Sequence, residues 1–327
     1  MATLRIRVLA VLAAVVIVAT ACGNSGSTAA PGGNTSVTGA STGHTGSPVA
    51  PTSQTDMPTP AAAASTARNL WNAREGALAA RDAGVLDAIE VGGAKQADAA
   101  YLTFVECNCE PPKDAHRVIA VVPVVPQQSS DPSFIAQVRT ANEHGDKVWY
   151  VIGVRRVAGT WKIGFLSVGW YKATPPLHSI VTEGGYTLPV DQSVEQRVRE
   201  VASSTVPYAK SHNSLTSTTS YGAVVRTTPQ VRLADDGVYG LRLKDGDVLA
   251  CYTFHTVDRY QIPGGYLRQS DGRDQFGPFL APGTYRSITI DNGNAECEVG
   301  SGHTGAIGHA YLSYDPRVLA TTGVPAT

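Results

Sequence analysis

Residues 23 to 66 read GNSGSTAAPGGNTSVTGASTGHTGSPVAPTSQTDMPTPAAAAST, and two Val and one Met are their only large apolar side chains. Charge is almost absent from the stretch. Such a segment buries too little surface to offset the entropy of ordering it. It is expected to be a disordered tether, 22–66 with the residue that precedes it, spanning roughly 35–40 Å as a random coil. The fold must therefore come from the residues that follow. These are enough for one large or two ordinary domains.

The tether follows an apolar run. Arg5 and Arg7 give a positive start, and Val8 to Val18 is unbroken Val, Leu, Ala and Ile. That length suits a secretory signal core and is too short to span a bilayer. Ala19-Thr20-Ala21-Cys22 closes the run and resembles the bacterial lipobox, with Ala19 where the motif usually carries Leu. The resemblance implies a signal peptide over 1–21, a diacylglyceryl group on the Cys22 thiol, and Cys22 as the first mature residue. Buried acyl methylenes, as in a palmitate chain, contribute ~0.8 kcal/mol each. Two or three chains then hold the protein on the extracytoplasmic face of the cell membrane. No later apolar run reaches the length of a membrane span.

Charge argues against nucleic acid as a partner. Lys+Arg number 26 against Asp+Glu 27, and no basic block stands out. Of five cysteines, four remain after Cys22: Cys107, Cys109, Cys251 and Cys297. Outside the cytoplasm, paired thiols are the expected state. Three connectivities are open. The expected one joins Cys251 to Cys297, with Cys107 and Cys109 bonded to each other or reduced. A metal half-site at Cys107-x-Cys109 is disfavoured by spacing and by the lack of a matching His.

Past residue 66 the pattern becomes periodic. Leu70, Trp71, Ala77 and Leu78 recur at helical spacing, with a break near Gly84. Val85, Leu86 and Ile89 predict a short second helix; Ala94, Ala97, Tyr101 and Phe104 predict a third. The period then changes. HRVIAVVPVV, SFIAQVRT, KVWYVIGVRRV and TWKIGFLSVGW read as strands, the last two joined at Ala158-Gly159-Thr160. Residues 173–189 are rich in Pro and Gly and read as a linker. Ser193 and Gln196 suggest a capped helix ending at Pro207, and Val194, Val198 and Val201 form its stripe. Strands fill the rest, with Asp245-Gly246 as a hairpin turn.

The expected fold class is α+β. Domain 67–172 and a mostly β domain, 190–318, each pack helix on curved antiparallel sheet, and 319–327 is a flexible tail. Three helices followed by a sheet closed by the GTWKI hairpin resemble the NTF2-like cone fold, which implies an apolar pocket. The stretch LWNAREGALAARDAGVLDAIEVGGAKQADAAYL, with Trp71, Arg74-Glu75, Asp82, Glu90 and the CNC that follows, also resembles an uncharacterised family of actinobacterial lipoproteins. That family brings no activity with it.

Catalytic and cofactor motifs are missing. The sequence has no G-x-S-x-G, S-x-x-K, H-E-x-x-H or Walker loop, and no dinucleotide fingerprint. No cofactor, metal or catalytic residue is assigned. His303 and His309 lack an acidic third partner, and Asp235-Asp236 and Asp271-Asp274 read as turn chemistry. Arg74, Glu75, Asp82, Asp87 and Glu90 read as a solvated helix face. In the sharper alternative, one carboxylate or His116 acts as general base in the pocket. Trp71, Tyr101 and Trp149 are the candidate pocket residues. Three function classes follow: a lipid-anchored module binding an apolar ligand or an envelope protein, an enzyme using that base, and a structural spacer.

Overall fold

The computed structural model describes residues 57–326, except 109–115, 130, 143, 170–185, 212–213, 220–221, 235–237, 244–245, 270–277, 301–306 and 312–316. Helix α1 spans Pro60–Ala80. It starts inside the stretch expected to be tether, because local chemistry there favours a helix. Thr59 caps it, its side chain accepting from the Ala62 amide at 3.1 Å, and Pro60 pre-sets the first turn. The alanines that follow, which look like low-complexity filler, are the strongest helix formers. Ala63 and Ala67 are fully buried.

The helix ends at Arg81, three residues before Gly84, where a φ of 56° lies in the left-handed region. Gly84 sits inside α2, Ala83–Ile89, which Asp82 caps through the Val85 amide at 3.1 Å. Helix α3, Gly92–Glu106, follows at once.

Sheet 1 takes shape from β1 (Arg117–Pro126), β2 (Ser133–Ala141), β3 (Lys147–Val157) and β4 (Thr160–Gly169), an antiparallel meander. The β3–β4 turn has positive φ at both Ala158 and Gly159, the pattern that matches strand twist in a two-residue hairpin. The end of the expected linker adds β5, Tyr186–Thr187, parallel to β1.

Helix α4 spans Gln192–Ser211. Its cap is Asp191 rather than Ser193, accepting from the Val194 amide at 3.0 Å and the Ser193 hydroxyl at 2.6 Å. Gln196 bonds Glu200 instead of reaching back. Pro207 does not end the helix; proline forfeits its own donor but leaves the remaining ladder available.

Sheet 2 has eight strands, β6 (Ser214–Thr219), β7 (Gly222–Leu233), β8 (Tyr239–Arg242), β9 (Val248–Gln261), β10 (Leu267–Gln269), β11 (Gly283–Gly300), β12 (Ile307–Tyr311) and β13 (Arg317–Pro325). The expected tail is thus β13, antiparallel to β11, because Val318 to Val324 has the alternation and pairing edge a strand needs. Gly246, at φ 87°, turns β8 into β9.

The fold is α+β with two sheets, and its layers follow from strand alternation. Phe134, Ala136, Val138, Ile152, Val154 and Ile163 face Ala63, Ala67 and Trp71 of α1. The opposite face offers Val124, Ile135, Val151 and Phe165, which pack on Tyr239, Leu241, Leu249, Cys251 and Cys297 of sheet 2. The far face of sheet 2 meets α4 through Val198, Ala202, Ala250, Tyr252 and Phe254. The order is helix, sheet, sheet, helix. The described residues form one compact unit. Large residues on both faces of sheet 1 therefore have two separate cores to fill.

Candidate functional site

The apolar stripe of α1 carries one charged residue. Arg74 lies three positions after Trp71, so both point into the protein, and Arg74 is 5% exposed. On α3, Asp98 lies four positions after Ala94 and three before Tyr101, again inside a buried stripe, and is 4% exposed. The two meet as a fork: Nε donates to Oδ2 at 2.5 Å and Nη2 to Oδ1 at 2.7 Å. Nη1 of Arg74 donates to Glu75 Oε1 at 3.0 Å. The guanidinium also lies 4.9 Å from the Trp71 ring centroid, and Trp71 packs on Tyr150 at 4.4 Å.

Glu90 completes the cluster from the α2–α3 junction. A backbone bridge to Ile163 of β4 fixes it there, and it is fully buried. Its Oε1 sits 3.4 Å from Arg74 Nε, whose hydrogen goes to Asp98, and neither Glu90 oxygen receives a hydrogen bond. Burial first, then the neighbouring Asp98 carboxylate, pushes Glu90 up to about 9. Burial and the Asp98 carboxylate thus favour the protonated, neutral form of Glu90 at neutral pH. Burial pulls the Arg74 guanidinium down, but Asp98, Glu90 and Glu75 together hold it above its ordinary value. The buried charges of Arg74 and Asp98 cancel, as low dielectric demands.

At the rim stands His116, just before β1. Its backbone amide donates to Glu75 Oε2 at 3.2 Å, and its Nδ1 lies 3.9 Å from the same oxygen. Of the five charged residues read from the helices, three therefore converge: Arg74, Glu75 and Glu90. Asp82 is a cap, and Asp87 pairs with Lys95 on the surface at 3.0 Å. Asp98 lies on the third helix, outside the acidic and basic residues that the first two helices display in the sequence. The signal was present: an acid and a base each inside an apolar stripe of a different helix.

The three candidate pocket residues occupy three surroundings. Trp71 is fully buried between α1 and sheet 1. Tyr101 lies in a separate cluster with Ala77, Leu86, Leu102 and Val105. Trp149, next to Tyr150 on β3, faces the other side of the sheet under the Arg139 guanidinium, at 4.6 Å. Cys251 and Cys297, directly opposite on β9 and β11, form the expected disulfide. Cys107 is disulfide-bonded as well. Cys22, Cys109, His303, Asp235-Asp236 and Asp271-Asp274 lie outside the described residues, and His309 stands on β12.

A second polar cluster lines β9. His255 Nδ1 is 3.0 Å from Asp291 Oδ1, a contact that with nearby Arg232 holds Asp291 below the usual carboxylate range. Asp258 is fully buried between Arg226 at 2.7 Å and Asn292 at 2.9 Å. A groove of about 40 Å³ between the two sheets' loops and α4 is lined by Ser129, Asp131, Glu195 and Arg199, room for a few waters at ~10–15 Å³ each. Among the described residues there is no group of three or more His, Cys, Asp or Glu placed to hold a metal ion. No described helix is long and apolar enough to cross a membrane. Comparison with known proteins finds no matching family model, curated relative or solved structure.

Proposed function

We propose that this chain is a membrane-anchored extracytoplasmic lipoprotein whose folded part is a non-catalytic binding module, an NTF2-like cone joined to a second sheet and helix. The carrying observation is the closure of the acidic cluster. A general base must reach a proton on its substrate. Glu90, at 0% exposed, and Asp98, at 4%, are sealed behind α1 and sheet 1, where they tie three helices together. The cone reading is supported by the element order, three helices before a four-stranded antiparallel meander, and by α1 packed on one face of that meander. The anchor reading rests on Arg5, Arg7, the apolar core and Cys22. The Cys251–Cys297 disulfide suits an oxidising compartment.

A second reading, an enzyme with His116 as base, is favoured by one observation. The His116 and Glu75 side chains are 15% and 18% exposed, so this pair meets solvent. The test is a titration of the purified protein with fatty acids, phospholipids and their neutral analogues, followed by Trp fluorescence and thermal shift. A saturable response unaffected by His116→Ala supports the binding module. A folded protein with no response to any ligand is a spacer.

A further inference from the structure

We infer that the end of sheet 2 beyond its contact with sheet 1 presents a face that docks on an anionic lipid surface, built from Arg259, Tyr266, Arg268 and Val324. The inference rests on the membrane-anchored reading and goes beyond it.

Strand alternation places these residues together. Leu267, Tyr285, Ile288 and Ile290 point into one core, so their neighbours point the other way. On that outer side Arg268 stands opposite Thr284, and Ser287 stands between Gln261 of β9 and Val324 of β13. Arg259, on the same side of β9 as Gln261, donates to the Ser287 hydroxyl at 3.4 Å. Cys251 also lies on that side of β9, and there sheet 1 packs on it. Arg259 stands about 26 Å along the strand from that contact.

This face is open to solvent and cationic. Tyr266 is 58% exposed and Val324 53%, two of the four large apolar side chains exposed among the described residues. Tyr266 leads into β10 and Val324 lies in β13, on either side of β11, their backbones two strand spacings or about 10 Å apart. Arg259 and Arg268 are exposed and pair with no carboxylate among the described residues. Arg286 adds an exposed guanidinium at the bulge between Tyr285 and Ser287. The first acid along β11 is Asp291, which His255 and Arg232 already engage. The sequence shows no basic block because these arginines lie on three strands, and register brings them together. Guanidinium groups beside an exposed tyrosine and an apolar side chain match a bilayer interface: anionic headgroups take the charge, and the phenol ring sits at headgroup depth. Each guanidinium near such a surface strengthens binding roughly fivefold. Anchoring through Cys22 makes the docking intramolecular, so a modest affinity suffices to orient the protein.

The test uses the chain from residue 22 onward with Cys22→Ser, which carries no acyl group, and sedimentation with vesicles of phosphatidylcholine alone or mixed equally with phosphatidylglycerol. Binding to the mixed vesicles is expected to exceed binding to phosphatidylcholine at least tenfold and to fall as salt rises. Arg259→Gln with Arg268→Gln should lower it at least tenfold, and Tyr266→Ala severalfold, with melting temperatures unchanged because these side chains are exposed. Arg68→Gln with Arg199→Gln, the same charge change at exposed positions on α1 and α4, should leave binding unaltered. No binding to the mixed vesicles, or an equal loss in the two double variants, overturns the face; either result leaves the anchor reading standing, because this chain has no acyl group. A concentration-dependent dimer that is lost in Arg259→Gln with Arg268→Gln, without vesicle binding, assigns the face to a second copy of the chain and overturns the membrane site.

Discussion

Arg74 holds both carboxylate oxygens of Asp98, at 2.5 and 2.7 Å, across the contact between the first and third helices. The pair is sealed from water, so its two halves are not independent. Arg74→Met would leave Asp98 as a buried charge without its partner. Breaking a buried pair in this way costs about 3–5 kcal/mol. Urea denaturation should show a loss of that size, and Arg74→Met with Asp98→Asn together should recover part of it.

Glu90 makes stability pH-dependent. Its folded-state value of about 9 lies above the ordinary carboxylate value because burial disfavours its charge. The native state therefore binds the proton more tightly than the unfolded chain does. That contribution is fully present below the unfolded value and is lost as pH rises toward 9, at up to ~1.4 kcal/mol per pH unit. Glu90→Gln mimics the protonated acid. The variant should match wild type near pH 5 and melt higher near pH 9, with a flatter profile between; parallel profiles would show that Glu90 does not titrate in this window.

Much of the first half was legible because its signals are local. Strands β2 and β3 alternate cleanly, and Ala158-Gly159 is a turn that only a hairpin uses. The Cys251–Cys297 pair followed from two strands with one cysteine each. What the sequence did not reveal depends on distant partners. Val318 to Val324 looks like a tail until β11 offers it an edge. Residues 60–66 look like tether because composition does not weigh the cap at Thr59 or the burial of Ala63. In the site, the spacing of Arg74 and Glu90 fits a solvated helix face as well as a buried one. Only the packing of α1 on sheet 1 closes them off.

Tyr239 locks the two sheets. Its ring fills the space a side chain at Gly153 would take, 2.7 Å from where that Cβ would stand, and it also approaches Gly164. Overpacking such a contact costs about 1–3 kcal/mol. Gly153→Ala should lower the unfolding free energy by that amount, and Tyr239→Ala by about 3–5 kcal/mol through the cavity it leaves. Tyr239→Ala should also relieve the clash, so that adding Gly153→Ala to it costs little. Additivity of the two would mean that they do not touch.

Cys251 and Cys297 are separated by 46 residues. In the chain-entropy model a loop of this size contributes about 4 kcal/mol. Cys251→Ser with Cys297→Ser should lose stability of that order in guanidinium unfolding. Reductant should destabilise wild type more than this double variant, which keeps only the Cys107 disulfide.

One lipidated residue, Cys22, is proposed to hold the folded part on a membrane. Fractionation of cells expressing Cys22→Ala tests it most directly, because the acyl chains are the proposed attachment. The wild type should sediment with membranes through a high-salt wash and release only in detergent. Cys22→Ala should appear in the medium or persist as an uncleaved precursor. A processed Cys22→Ala protein that still sediments with membranes after the wash would show that the attachment does not depend on acylation of Cys22.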